Sequence, residues 1–189
     1  MKKKILISTG GSGGHVLPAI TIYDHLKSNY ETLISTDLRG LKYLDKVIYK
    51  PIIINTPKLN NLILLPFTLV KVFFLTIKCL ILLKKNKISI LISTGGYMSL
   101  PLCLAAKLLS VKIFLIEPNM VLGRANKFFL NFSERLLCYF KNLINLPEKF
   151  QKKQIIISPL IREKYYDSKN YQKNNNIFTI IIIGGSQGA

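Results

Sequence analysis

Leu6-Ile7-Ser8-Thr9-Gly10-Gly11 recurs letter for letter as Leu91-Ile92-Ser93-Thr94-Gly95-Gly96, and Ile182-Ile183-Gly184-Gly185 is a looser third copy. Each copy is an aliphatic run that stops at glycines, so the chain uses one strand-to-loop device three times rather than a solenoid period. Other short runs of Ile, Leu and Val alternate with longer helical patterns. The pattern predicts strands over 4–9, 32–36, 47–54, 88–93 and 111–116, with weaker candidates at 136–139 and 154–157. Helices are expected over 17–28, 67–84, 98–109 and 122–132. Continuous apolar strands separated by helices require a parallel sheet covered on both faces, which is a doubly wound α/β domain.

The composition turns polar after Ser158 and ends in Asn174-Asn175-Asn176, so 159–176 reads as a linker. Residues 177–183 form a fresh apolar strand, followed by Gly184-Gly185-Ser186-Gln187-Gly188-Ala189. The expected organisation is one domain over 1–158, the linker, and over 177–189 the first strand and loop of an incomplete second domain.

The 27 Lys and Arg against 9 Asp and Glu give a formal charge of +18, while 49% of residues are hydrophobic. That apolar content excludes a disordered polyelectrolyte. The charge calls for an anionic partner: a membrane, a nucleotide sugar or nucleic acid. Nucleic acid is the weakest of the three, because the lysines are dispersed and no nucleic-acid motif is visible. Cys79, Cys103 and Cys138 each sit in an apolar run without a CxxC pair, which predicts reduced core thiols. No cofactor is expected, and no Cys/His cluster has metal-ligand spacing. The apolar stretch after Lys2-Lys3-Lys4 ends at Gly10-Gly11, too short for an export signal.

Residues 62–83 are almost wholly apolar and about long enough to span a bilayer. Lys71 and Lys78 interrupt them and fall with Lys85 on one helical stripe. A helix lying flat, with the lysines at headgroups and Phe73 and Phe74 buried in the interface, accommodates both features. A core helix with solvated lysines is the alternative.

A glycine loop that opens a helix exposes backbone N–H groups suited to phosphate. Neither familiar version is complete. From Gly11 and Gly13 the third position of G-x-G-x-x-G is Val16, and no Gly-Lys pair exists for a P-loop. Asp37, at a plausible distance for a ribose contact, is a decoy without that fingerprint. His15 follows the first loop, where an imidazole can accept a proton from an attacking hydroxyl or serve as an ordinary polar contact. Glu117 lies in the same ligand-facing zone or merely marks a helix entry. Asn119 is a cap or a sugar contact. Arg162 is a diphosphate contact or a solvated linker residue.

Together these residues resemble the MurG family of bacterial glycosyltransferases. Gly10-Gly11-Ser12-Gly13-Gly14-His15 with Pro18 is similar to the family's first loop, with Ser12 where Thr is usual. Gly95-Gly96-Tyr97-Met98-Ser99-Leu100-Pro101 is similar to the second, and Gly184 to Ala189 to the third. Glu117-Pro118-Asn119, Gly123, Asn126 and Lys127 resemble the H-E-Q-N…G-x-x-N-K stretch, with Ile116 in place of its His.

The resemblance implies a Rossmann-like N-terminal domain of a two-domain GT-B glycosyltransferase, acting on the cytoplasmic face of the bacterial inner membrane. The implied reaction is inverting transfer of N-acetylglucosamine from UDP-N-acetylglucosamine to an undecaprenyl-diphosphate-linked muramyl-pentapeptide. By the same resemblance His15 and Glu117 are catalytic, and Gly13, Gly14, Gly95, Gly96, Tyr97, Ser99 and Asn119 hold the acceptor and its diphosphate. Ser12, Gly13, Asn119, Arg162 and Ser186 meet the UDP-sugar, while Lys71, Phe73, Phe74 and Lys78 touch an anionic membrane. The alternative function is a non-catalytic membrane-anchoring half that recruits a separate donor-binding subunit.

Overall fold

The structure, a computed structural model, describes residues 3–57 and 65–161. Arg162, Ser186, the third glycine loop and most of the expected linker lie outside the described residues. The aliphatic runs become seven strands of one parallel sheet: β1 Lys4–Ser8, β2 Glu31–Thr36, β3 Ile52–Ile53, β4 Ile88–Ser93, β5 Lys112–Glu117, β6 Ser133–Cys138 and β7 Gln154–Ile156. Their spatial order is β3-β2-β1-β4-β5-β6-β7. The helices are α1 Gly13–Leu26, α2 Lys46–Tyr49, α3 Leu65–Lys85, α4 Leu100–Leu108 and α5 Arg124–Phe129.

Strand alternation feeds two cores. Ile5 and Ile7 of β1 pack with Val16, Ala19 and Ile20 of α1 on one face. Leu6 points the other way, into a cluster with Cys79 and Leu83 of α3 and Leu102 and Cys103 of α4. Burying each such aliphatic side chain contributes about 1.5–3 kcal/mol, so the doubly covered sheet is where the stability lies. Burial pushes the Cys79 and Cys103 thiols up to about 12, and all three cysteines are free and buried.

The expected strand over 47–54 is corrected. Asp45 caps a helical turn, its carboxylate accepting from the N–H groups of Val47 at 2.8 Å and Ile48 at 3.2 Å. Lys50 then turns left-handed at φ 41° before Pro51, and only Ile52–Ile53 remains to pair with β2. A local side-chain cap outweighs β propensity there. The helix expected over 122–132 is also shorter: α5 gives way to a 3₁₀ turn at Leu130–Phe132. Lys153 closes that end, its ammonium donating to the carbonyls of Leu130 at 2.7 Å and Ser133 at 2.6 Å.

Helix α3 has an inverted distribution of side chains. It buries Thr68, Val72, Thr76, Cys79 and Leu83 and exposes Phe67, Leu69, Val70, Phe73, Phe74 and Ile81, with Phe73 62% and Phe74 59% accessible. A helix evolved to face water alone carries its aromatics on the other side. Lys71 and Lys78 are exposed on the same helix.

Candidate functional site

The two identical hexapeptides pair with each other. Leu6 lies opposite Leu91, Ile7 opposite Ile92 and Ser8 opposite Ser93, so both glycine loops leave the sheet side by side. From β1 the chain runs outward to β2 and β3, then returns to β4 on the other flank. This reversal is a topological switch point, and the crevice above its strand ends is where open α/β sheets bind ligands.

The loop geometry needs its glycines. Gly95 has φ +83°, and a Cβ there would meet the Asn126 amide nitrogen at 2.9 Å. Gly96, at φ +81°, lies against Met98. Ser99 is buried, and its hydroxyl donates to the Gly96 carbonyl at 2.8 Å. It therefore holds the second loop's shape from beneath, whereas Tyr97 flanks the opening.

His15 spans the two loops. Its Nδ1 lies 2.6 Å from the Thr94 carbonyl oxygen, at the end of β4. A carbonyl can only accept, so Nδ1 carries a proton, and in the neutral ring Nε2 is the nitrogen with the lone pair. Among the described residues Nε2 has no hydrogen-bond partner. The loops are further sewn together by the Thr94 hydroxyl, which donates to Thr9 Oγ1 at 2.9 Å. Ser12 is the N-cap of α1 but makes no side-chain capping bond. The first-turn N–H groups of Gly13 and Gly14 have no helical carbonyl to donate to, and they carry the positive end of the helix dipole.

Glu117 occupies the last position of β5 and is 1% exposed. Its Oε2 accepts from Gly123 N–H at 2.8 Å and Asn126 Nδ2 at 3.0 Å. Its Oε1 accepts from Asn119 Nδ2 at 3.0 Å and Asn119 N–H at 3.3 Å. The carboxylate is thus engaged on both oxygens by its own chain, and it sets the loop between β5 and α5. Asn126 also donates to the Ile116 carbonyl at 3.0 Å, which connects this loop to Gly95. Asn119 is itself exposed. Ile116 is buried, so its side chain does not line an open cleft.

Asp37, dismissed from the sequence, holds the first loop in place. It is 5% exposed, and its Oδ1 accepts from Gly11 N–H and Gly40 N–H, both at 2.8 Å. Burial raises its pKa, but those amides and Arg39 outweigh it and hold the carboxyl below the ordinary value. Gly11 N–H is accordingly not a free ligand donor. Burial also raises the Tyr97 hydroxyl, with Arg39 lowering it in part. Sequence spacing alone carried no signal for Asp37, because its partners are two backbone amides that only the fold assembles. Among the described residues no three His, Cys, Asp or Glu side chains gather as a metal-ligand set.

The chain is similar to known proteins. A UDP-N-acetylglucosamine–N-acetylmuramyl-(pentapeptide) pyrophosphoryl-undecaprenol N-acetylglucosamine transferase from Pelagibacter ubique is 50% identical over the whole chain, which covers 53% of that relative. Its namesake from Rickettsia canadensis is 35% identical over 99% of the chain and 53% of the relative. The chain therefore spans about half the length of the curated relatives it matches. Among solved structures, Acinetobacter baumannii MurG superposes with a TM-score of 0.67 at 20% identity, over 87% of this chain and 48% of that one. A UDP-N-acetylglucosamine 2-epimerase follows at 0.61 and 13%, over 82% and 48%. These two likenesses show the shared doubly wound, Rossmann-like fold. Residues 5–138 match the N-terminal domain of glycosyltransferase family 28, and the chain belongs to that family.

Proposed function

We propose that the complete protein transfers N-acetylglucosamine from UDP-N-acetylglucosamine to an undecaprenyl-diphosphate-linked N-acetylmuramyl-pentapeptide, the reaction in its relatives' names. The observation that carries this reading is His15: its Nδ1–H is committed to the Thr94 carbonyl, and its Nε2 lone pair is available beside the paired glycine loops. In the proposed step the acceptor's sugar hydroxyl loses its proton to Nε2 and attacks the anomeric carbon. The bond to the UDP oxygen breaks, UDP leaves with that electron pair, and the anomeric configuration inverts. A well-placed general base supplies about 10²–10⁴-fold in rate. Gly13, Gly14, Gly96 and Tyr97 offer backbone N–H groups to a diphosphate, and the exposed Asn119 faces the acceptor. Glu117 serves as a positioning residue, through Gly123, Asn126 and Asn119, rather than as a proton carrier.

In the same reading 1–158 is the acceptor and membrane domain, and 177–189 open a donor-binding domain that contributes Ser186, with Arg162 before it. The outward aromatics Phe73 and Phe74 enter the interface of the cytoplasmic leaflet while Lys71 and Lys78 meet anionic headgroups. The length and apolarity of α3 support this placement.

The test is a product assay on the complete protein with UDP-N-acetylglucosamine and a short-chain lipid-linked muramyl acceptor. The reading requires a disaccharide lipid and stoichiometric UDP. Epimerisation of the nucleotide sugar without transfer, the activity named for the fold neighbour, overturns it.

A further inference from the structure

The geometry points to Arg39 as a diphosphate-binding residue at the mouth of the switch-point crevice, held there by Asp37 and Tyr97. Neither the sequence motifs nor the glycine loops assign it. This inference rests on the reading of that crevice as a diphosphate site, and it adds the side-chain cation that the loops themselves lack.

Three observations fix the guanidinium. Its Nε donates to Asp37 Oδ2 at 3.1 Å. Its carbon stands 5.1 Å from the centroid of the Tyr97 ring, beside the second glycine loop. Its Nη2 lies 3.4 Å from the position a Cβ on Gly11 would take, in the first loop. One planar cation therefore lies beside both loops. It is anchored at one edge and stacked on one face, which is how an arginine is pre-organised for oxyanions. Of its five N–H donors, only Nε is engaged among the described residues, and the side chain is 45% exposed.

The hydrogen-bonding pattern favours the same role. The Asp37 carboxylate is buried and accepts two backbone N–H groups as well as Nε of Arg39. The Nη donors are left unengaged among the described residues. Lys42, on the adjoining 3₁₀ turn Gly40–Tyr43, is exposed, and among the described residues its ammonium makes no hydrogen bond or ion pair with either loop.

A diphosphate could belong to the lipid acceptor or to the nucleotide sugar, and the experiment separates the two. Titration calorimetry at physiological salt measures binding of inorganic pyrophosphate, geranyl diphosphate and UDP to the 189-residue chain, as wild type, Arg39→Gln, Arg39→Lys and Lys42→Gln. Arg39→Gln should weaken pyrophosphate about ten-fold or more, the scale of one lost charge-assisted bond. Arg39→Lys should fall between wild type and Gln, since it keeps charge but not the stacked fork. Lys42→Gln, with the same charge change, should bind as wild type does. Alongside the pyrophosphate loss, a parallel loss for geranyl diphosphate but not UDP assigns the group to the acceptor, and a parallel loss for UDP but not geranyl diphosphate assigns it to the donor. Unaltered binding in Arg39→Gln, or an equal loss in Lys42→Gln, overturns the inference while leaving the crevice reading in place. If wild type binds no diphosphate, both fall. Circular dichroism of each variant separates lost binding from lost fold.

Discussion

Replacing Glu117 by Gln changes no volume but removes an acceptor where four donors converge. Gly123 N–H and Asn126 Nδ2 point at one oxygen, and both nitrogens of Asn119 point at the other. A glutamine amide offers one oxygen and one NH₂ group. Whichever way it turns, two donors of the protein face two donors of the side chain at a position 1% exposed to solvent. A buried donor left without an acceptor costs about 1–3 kcal/mol, so the pair predicts roughly 2–6 kcal/mol. That is a large share of the 5–15 kcal/mol typical of a folded domain. Urea unfolding of the 189-residue chain, followed by circular dichroism, measures it directly. With a slope of about 2 kcal/mol/M, the midpoint should fall by roughly 1–3 M without a change in slope. A midpoint within about 0.2 M of wild type would refute the reasoning. It would also return Glu117 to the candidate proton carriers, since a carboxylate not needed for loop structure is free for chemistry.

Asp37→Asn tests the first loop through its pH dependence. The folded carboxyl titrates below its ordinary value of 3.8, so its contribution is complete above that value and lost as pH falls through the folded one. Wild type should therefore lose stability more steeply than Asp37→Asn as pH falls below 3.8, and parallel urea midpoints over that range would contradict it. On the membrane side, the double charge reversal Lys71→Glu/Lys78→Glu should weaken co-sedimentation with anionic vesicles by at least about 30-fold, at about 1 kcal/mol per lysine. Phe73→Ala/Phe74→Ala should weaken binding to neutral vesicles as well. Unchanged partitioning in both variants would remove α3 from the membrane.

The strand frame was legible because strands buried on both faces are aliphatic throughout, and their shortness and bounding turn residues separate them from the longer helical patterns. The literal repeat carried more than it first showed: its two copies become neighbouring, in-register strands, and that register places the glycine loops together. Short elements were less readable. Residues 47–54 look like a strand until Asp45 is seen to cap a turn and Lys50 to reverse it. At the site, His15 could be singled out by position, but its tautomer depends on Thr94, 79 residues away in the chain. Asp37 and Arg39 act through Gly11, Gly40 and Tyr97, contacts created by packing rather than by motif. Glu117 was recognisable by position, but a sequence does not reveal that both its oxygens accept from Asn119, Gly123 and Asn126.

The central claim is that Nε2 of His15 accepts the acceptor's proton. Turnover of the complete protein at saturating concentrations of both substrates, compared between wild type and His15→Gln, tests it most directly. The glutamine can still donate to the Thr94 carbonyl but cannot serve as a base at neutral pH. The account predicts that kcat falls by about 100-fold or more with little change in either KM, whereas a kcat equal to that of wild type would contradict it.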